Sequence, residues 1–154
     1  MEVMLRGPIG RFTLPETIDK DLYLICTGTG IAPFRSMAHF IHAKKLPHQK
    51  VNIIFGCRTI QDGLYLNELK QLEKDEPNFF FYPTYSREKE VPEGSYIGYV
   101  HKVYTELINA SKVDGNLAPA SFYLCGWKNM VDEARDTLIQ LGFDKKDVHL
   151  ELYG

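Results

Sequence analysis

The chain has 154 residues, a length that fits one domain with a substantial core. Its composition is that of a globular protein, with 44% apolar and 25% charged residues, and a formal net charge of −2 argues against nucleic acid as a partner. No apolar run is long enough to span a membrane and no secretory signal is visible, so we expect a cytoplasmic protein without a membrane span.

Apolar runs predict five strands, at residues 22–26, 51–55, 79–85, 121–125 and 148–153. The first four are almost continuously apolar, as parallel strands covered on both faces require, whereas the last alternates and is predicted as an edge strand. Between each two successive strands, apolar residues recur with helical spacing and predict a helix, as Tyr65, Leu69 and Leu72 do. This alternation predicts an α/β fold: a doubly wound, three-layer α/β/α domain with a five-stranded, mostly parallel sheet.

Four polar or glycine-rich segments follow predicted strands: "TGTG" (27–30), "GCRT" (56–59), "SRE" (86–88) and "CGW" (125–127). The carboxyl ends of parallel strands meet at one edge of a sheet, and ligands of doubly wound domains bind beyond that edge. We therefore expect these segments to surround one ligand site.

The loop of Thr27, Gly28, Thr29 and Gly30 has two possible explanations. Its amides, at the start of a helix, can bind a diphosphate, with the threonine hydroxyls as further donors. Alternatively, the glycines serve only a tight turn from strand to helix. An ordinary dinucleotide fingerprint is disfavoured, because Pro33 replaces the third glycine and no acidic residue follows the second strand.

Four motifs in this order resemble the NAD(P)-binding half of the ferredoxin–NADP reductase family: "TGTGIAPFRSM" (27–37), "FGCRTIQDGLYLNEL" (55–69), "YSRE" (85–88) and "YLCGWKNMVDEA" (123–134). The resemblance implies a C-terminal nucleotide-binding domain over residues 15–154. It also implies that residues 1–14, with "GPIGRFTL", are the end of a preceding flavin-binding barrel. The flavin-binding motif of that family, Arg-x-Tyr-Ser/Thr, is absent from the 154 residues.

The resemblance also implies the roles of individual residues. The loop would lie along the diphosphate and nicotinamide, Ser86 and Arg87 would hold the adenosine 2′-phosphate, and Arg58 would lie near the phosphates or adenosine. Cys125 and Gly126 would lie beside the nicotinamide, and Tyr153 on the flavin face. The implied cofactor-binding set is Thr27, Gly28, Thr29, Gly30, Pro33, Arg58, Ser86, Arg87, Tyr99, Cys125, Gly126 and Met130, with Cys125 and Tyr153 as catalytic residues.

The implied function is to position NADP(H), or NAD(H), for hydride transfer to FAD on another domain, with little turnover by this chain alone. The family places Gly-Arg in some bacterial members where this chain has Gly98-Tyr99, so the choice between NADP and NAD stays open. The alternatives are a free-standing nucleotide-binding subunit or sensor that docks on a flavin or iron–sulfur partner, and a flavodoxin-like FMN site. A redox partner protein is possible, but the residues do not indicate which molecule accepts the electrons.

Three residues have ordinary alternatives. Arg87 could be a solvated arginine paired with Glu88 or Glu90, and Cys125 could be an inert buried thiol. Trp127, next to Cys125 and Gly126, could pack against the nucleotide or be partly buried structure. The separated cysteines match no zinc pattern and indicate reduced thiols, so no metal is assigned. The five histidines are scattered, which disfavours a hydrolytic triad.

Overall fold

The computed structural model describes residues 12–152, which form six strands and four α-helices. The strands are β1 (Asp21–Thr27), β2 (Val51–Cys57), β3 (Phe79–Tyr85), β4 (Tyr96–Ile97), β5 (Ala120–Gly126) and β6 (Val148–Leu152). The helices are α1 (Ile31–Lys44), α2 (Leu66–Asp75), α3 (Val100–Ser111) and α4 (Lys128–Leu141). None of these helices is long and apolar enough to cross a membrane.

The described strands form one parallel sheet in the order β4-β3-β2-β1-β5-β6. The chain runs outward from β1 to β4 and then returns to the other side of β1 with β5, so the strand order reverses between β1 and β5. The predicted α/β fold with a doubly wound parallel sheet is confirmed. The predicted number of five strands is wrong, because β4 adds a sixth.

Strand β4 escaped prediction because it is too short to have a hydrophobic pattern. Tyr96 pairs with Thr84 and Ile97 with Tyr85, and both β4 residues are exposed. A two-residue edge strand is defined by its neighbour and not by its own sequence.

Both faces of the sheet are covered by helices, which explains the continuous apolar runs. Along β1, Leu22 and Leu24 belong to one buried cluster with residues of α1 and α2, whereas Tyr23 and Ile25 belong to another with residues of α3 and α4. Alternate side chains of one strand thus enter different apolar layers, so that every position must be apolar.

The segment before β1 packs on the first of these layers. The Phe12 ring lies 5.7 Å from that of Phe34 and 5.3 Å from that of Tyr123, whose hydroxyl donates to the Thr13 carbonyl at 2.9 Å. Most of the segment 1–14, which we predict to end a preceding barrel, lies outside the described residues, and this assignment stays a prediction.

Candidate functional site

A cleft of about 970 Å³ opens at the carboxyl edge of the sheet, where the strand order reverses. Doubly wound domains bind their ligands at this place. The predicted site residues among its lining are Thr27, Gly28, Arg58, Ser86, Arg87, Tyr99 and Met130. The sequence-based expectation that the segments after β1, β2, β3 and β5 surround one space therefore agrees with the geometry.

The loop after β1 is a short 3₁₀ turn that leads directly into α1. Gly28 has a φ of 53°, in the left-handed region, and lines the cleft. Gly30 is buried and has an ordinary φ of −61°, but a Cβ there would lie 2.4 Å from the Cys125 carbonyl oxygen. Gly30 is thus required by the close approach of the loop to β5.

The ends of β1 and β5 are joined across the cleft floor. The Trp127 amide donates to Thr27 Oγ1 at 3.4 Å. Gly126 has a φ of 147°, and a Cβ there would lie 2.3 Å from the same Thr27 oxygen. A side chain at residue 126 would therefore separate the two strand ends.

Arg58 and Arg87 lie on one wall of the cleft because β2 and β3 remain paired beyond their ends. The Ser86 amide donates to the Cys57 carbonyl at 3.0 Å, and the Arg87 amide to the Arg58 carbonyl at 2.9 Å. Arg87 is exposed, as the alternative explanation expects, but its pairing with Glu88 or Glu90 is not observed. Within residues 12–152, neither Arg58 nor Arg87 forms an ion pair with a carboxylate. Glu88 instead accepts a hydrogen bond from the Ile60 amide at 2.9 Å.

Cys57 and Asp62 also line this wall and were not predicted as site residues. Asp62 is held by Thr59, whose amide and hydroxyl both donate to its carboxylate, at 3.1 and 2.9 Å. Burial, with the nearby carboxylates of Asp62 and Glu88, raises the pKa of the Cys57 thiol to about 11. The thiol is therefore neutral at physiological pH and is not activated as a nucleophile.

Another part of the cleft lining is a hydrogen-bonded group from α3 and α4. His101 Nε2 lies 3.1 Å from Glu133 Oε2, and His101 Nδ1 lies 2.8 Å from the Tyr104 hydroxyl. Burial lowers the pKa of His101, and Glu133 opposes this shift only in part. A neutral imidazole that donates from Nε2 to the carboxylate satisfies both contacts. No sequence signal indicates the pair of His101 and Glu133, because the histidines are scattered and the glutamates form no recognisable motif with them.

Two aromatic rings, Tyr99 and Trp127, line the cleft and remain strongly exposed, at 70% and 65%. Tyr99 was in the predicted cofactor-binding set. Trp127 was considered from the sequence as a ring that packs against the nucleotide, but it was not included in that set. Met130, near the start of α4, lies below them and is 8% exposed.

The other predicted residues do not line the cleft. Thr29 is exposed, Pro33 half-buried, and Gly30 and Gly126 buried behind the lining. Cys125 is fully buried next to Cys26 on the neighbouring strand, where burial raises the pKa of the Cys26 thiol. Tyr153 lies outside the described residues. Within residues 12–152, no three His, Cys, Asp or Glu side chains are grouped so that they could hold a metal ion.

The fold and the cleft define a doubly wound α/β domain with a ligand-sized cleft at its switch point, the class to which dinucleotide-binding domains belong. Residues 24–136 match the model of the oxidoreductase NAD-binding domain, and the chain belongs to this family.

The curated relatives are longer proteins. Flavohemoprotein B of Dictyostelium discoideum is 31% identical over 156 residues, which cover 99% of this chain and 35% of that protein. One component of the Na⁺-translocating NADH-quinone reductase of Klebsiella pneumoniae is 31% identical over 157 residues, 99% of this chain and 37% of that component. The chain thus spans little more than a third of the length of these curated relatives.

Solved structures give the same picture. The cytochrome P450 reductase GcoB of Amycolatopsis matches with a TM-score of 0.79 and 26% identity, over 95% of this chain and 42% of that one. The ferredoxin–NADP⁺ reductase of Plasmodium falciparum, solved with 2′P-AMP, matches with a TM-score of 0.69 and 27% identity, over 94% and 58%. The resemblance to the ferredoxin–NADP reductase family, expected from the sequence, is confirmed.

Proposed function

We propose that this chain binds NADP(H), or NAD(H), in the carboxyl-edge cleft and presents it to FAD carried by a second domain or subunit. The observation that carries the proposal is the pair of arginines, Arg58 and Arg87, on one wall of a cleft that also contains the glycine loop. When bound, the dinucleotide supplies a hydride, and the protein supplies placement and charge.

The arginine wall is the proposed site of the adenosine phosphates. A guanidinium always carries its charge and presents a planar fork of donors that matches phosphate oxygens. Because neither Arg58 nor Arg87 is paired with a carboxylate in residues 12–152, a phosphate need not displace a competing anion. Ser86, which also lines the cleft, would add a hydroxyl donor to Arg87. These contacts favour the 2′-phosphate of NADP(H).

The diphosphate is proposed to lie over the loop between β1 and α1. The 14-residue helix α1 begins directly after Gly30, so its macrodipole favours an anion there. Gly28 leaves the backbone uncovered on the cleft side, and Thr27, which also lines the cleft, can add a hydroxyl donor. The residues present therefore fit a dinucleotide.

The nicotinamide end is proposed to lie toward β5, beside Gly126 and Met130. Cys125 is buried behind the loop backbone and would act by positioning the loop and the ring, not as a nucleophile. Pro33 would support the first turn of α1, and Tyr153 would lie on the flavin. The flavin would be held mainly by other residues, since the sequence has no Arg-x-Tyr-Ser/Thr motif. We accordingly expect nucleotide binding and little reductase turnover from this chain by itself.

A cytoplasmic location and a separate redox partner protein complete the proposal. The location is supported by the free thiols of Cys26 and Cys57, which suit a reducing compartment. The partner is supported by the relatives, which include a component of a quinone reductase and a cytochrome P450 reductase.

The proposal is tested by calorimetric titration with NADP⁺, NAD⁺ and 2′-AMP. Arg87→Ala should weaken NADP⁺ binding by about 1.5–3 kcal/mol, the size of a hydrogen bond to a charged group, and 2′-AMP binding with it. NAD⁺, which lacks the 2′-phosphate, should bind as before.

Lys89→Ala is the matched control, because it removes one positive charge from the same loop but from an exposed position outside the cleft. Absence of heat with every nucleotide at millimolar concentration would refute the proposed function. Equal losses of NADP⁺ and NAD⁺ affinity in Arg87→Ala would refute the role of Arg87 alone.

A further inference from the structure

Trp127 is a large ring left in water at the end of β5. It is the only tryptophan of the sequence, its side chain is 65% exposed, and it lines the cleft. Tryptophan usually buries most of its ring and finds an acceptor for its N–H, and an exposed ring in a cleft marks a contact with a ligand or partner. Its exposure therefore calls for an explanation.

The indole is aimed at the glycine loop. The backbone amide of Trp127 is tied to Thr27 Oγ1, and its Nε1 lies 3.8 Å from the position that a Cβ of Gly28 would occupy. Within residues 12–152, Nε1 has no hydrogen-bond acceptor. The ring thus places an unused donor beside the loop where the diphosphate is proposed to bind, and the exposed ring itself lines the cleft after β5.

Trp127 and Arg87 stand at opposite ends of the cleft. Arg87 follows β3 and Trp127 follows β5, and the sheet order separates these strands by three steps, roughly 14 Å. A ligand whose 2′-phosphate lies at Arg87 reaches Trp127 only if it extends across the loop after β1. A whole dinucleotide has this length, whereas a single nucleotide does not.

We propose that Trp127 is an affinity-determining residue for whole dinucleotides: its ring packs against the nucleoside on the β5 side, and its N–H donates to the diphosphate. This inference rests on the proposed function. It assigns the recognition of the 2′-phosphate and of the second nucleoside to separate side chains, Arg87 and Trp127.

The unique tryptophan gives a direct optical test on the unmodified chain. Saturation with NADP⁺ or NAD⁺ should change the intensity or the wavelength of the Trp127 emission, because the ring passes from water to contact with the ligand. Saturation with 2′-AMP should leave the emission unchanged. The same samples are titrated by calorimetry, so that saturation is measured independently.

Substitution gives the energetic test. Trp127→Ala should weaken NADP⁺ and NAD⁺ by the same factor, roughly 5- to 150-fold for the loss of a stacked ring. The affinity for 2′-AMP should change less than about twofold, which also shows that the arginine wall is still folded. Trp127→Phe keeps a ring but not the N–H, so its affinity for NADP⁺ and NAD⁺ should lie between that of the unmodified chain and that of Trp127→Ala. Phe40→Ala is the control, since it removes a 51% exposed ring that lies outside the cleft.

The outcomes separate this inference from the function on which it rests. If the unmodified chain binds dinucleotides but Trp127→Ala binds them equally well, the role of Trp127 is refuted and the proposed function stands. The role of Trp127 is also refuted if Trp127→Ala loses as much affinity for 2′-AMP as for NADP⁺. If no nucleotide binds the unmodified chain, both are refuted.

Discussion

At the scale of single residues, the glycines of the loop have different physical reasons. Gly28 has a left-handed backbone, whereas Gly30 is required because the Cys125 carbonyl lies against it. The sequence predicts a glycine loop but not this division of roles, since the atom that excludes a side chain at residue 30 belongs to a strand far along the chain.

Gly30→Ala should destabilise the fold by about 1–3 kcal/mol, the usual effect of forcing an extra methyl group into a packed site. The φ of −61° suits alanine, so the clash with the Cys125 backbone is the whole cause. The free energy of unfolding in urea measures the effect. Thr29→Ala, at the exposed neighbouring position, should change it by less than about 0.5 kcal/mol. Two equally stable variants would contradict the packing explanation.

Most of the cleft residues that the sequence revealed lie at strand ends. Thr27 is the last residue of β1, Arg58 follows β2 and Arg87 lies two residues after β3, and the common edge of a parallel sheet brings them together. His101 and Glu133 were missed because they project from helices, where periodicity separates buried from exposed positions but does not show which exposed position faces a cleft.

At the scale of elements, the strands with strong hydrophobic patterns were predicted to within one or two residues at each end, and a helix lies in each predicted gap between them. The start of α2 shows a limit of helical spacing as a signal. Tyr65 continues the helical spacing of Leu69 and Leu72, yet it lies outside the helix with a φ of 57°, and the Arg35 guanidinium packs 4.4 Å from its ring centre. Long-range packing of this kind leaves no periodic signal.

Glu76 joins two elements by accepting from two imidazoles. His42 of α1 lies 2.6 Å and His48, before β2, lies 3.0 Å from its carboxylate, and these hydrogen bonds lower the pKa of Glu76. A carboxyl group whose pKa is lower in the folded than in the unfolded state stabilises the fold above the unfolded pKa. This contribution is lost as the pH falls through the folded value.

Glu76→Gln should therefore lower the free energy of unfolding at pH 5.5 and have a smaller effect at pH 3, where a larger fraction of the Glu76 carboxylate in the unmodified chain is protonated. Urea midpoints at the two pH values measure this difference. Glu93→Gln, at an exposed position without an ion pair in residues 12–152, should show no such dependence. An effect of Glu76→Gln that stays constant with pH would show that packing and not charge is responsible.

At the scale of the whole molecule, the alternation of strands and helices was enough to predict the layers and the edge at which the cleft lies. It was not enough to predict how many strands the sheet has, because β4 consists of two exposed residues. It also could not show that Arg87 has no ion pair in the described part of the chain, because this depends on where the Glu88 carboxylate finds its hydrogen-bond donor.

The sheet separates the two apolar layers described above, so a substitution in one layer should not change the energetic effect of a substitution in the other. Ile41 of α1 and Ile108 of α3 are both fully buried but belong to different clusters. Ile41→Val and Ile108→Val should each cost about 0.5–1.5 kcal/mol. Their double variant should lose the sum to within about 0.5 kcal/mol in a thermodynamic cycle. A coupling energy between the two variants that is larger than this would show that strain is transmitted through the sheet. If the two effects add, the residues on one face of the domain can be redesigned while those on the other face are left unchanged.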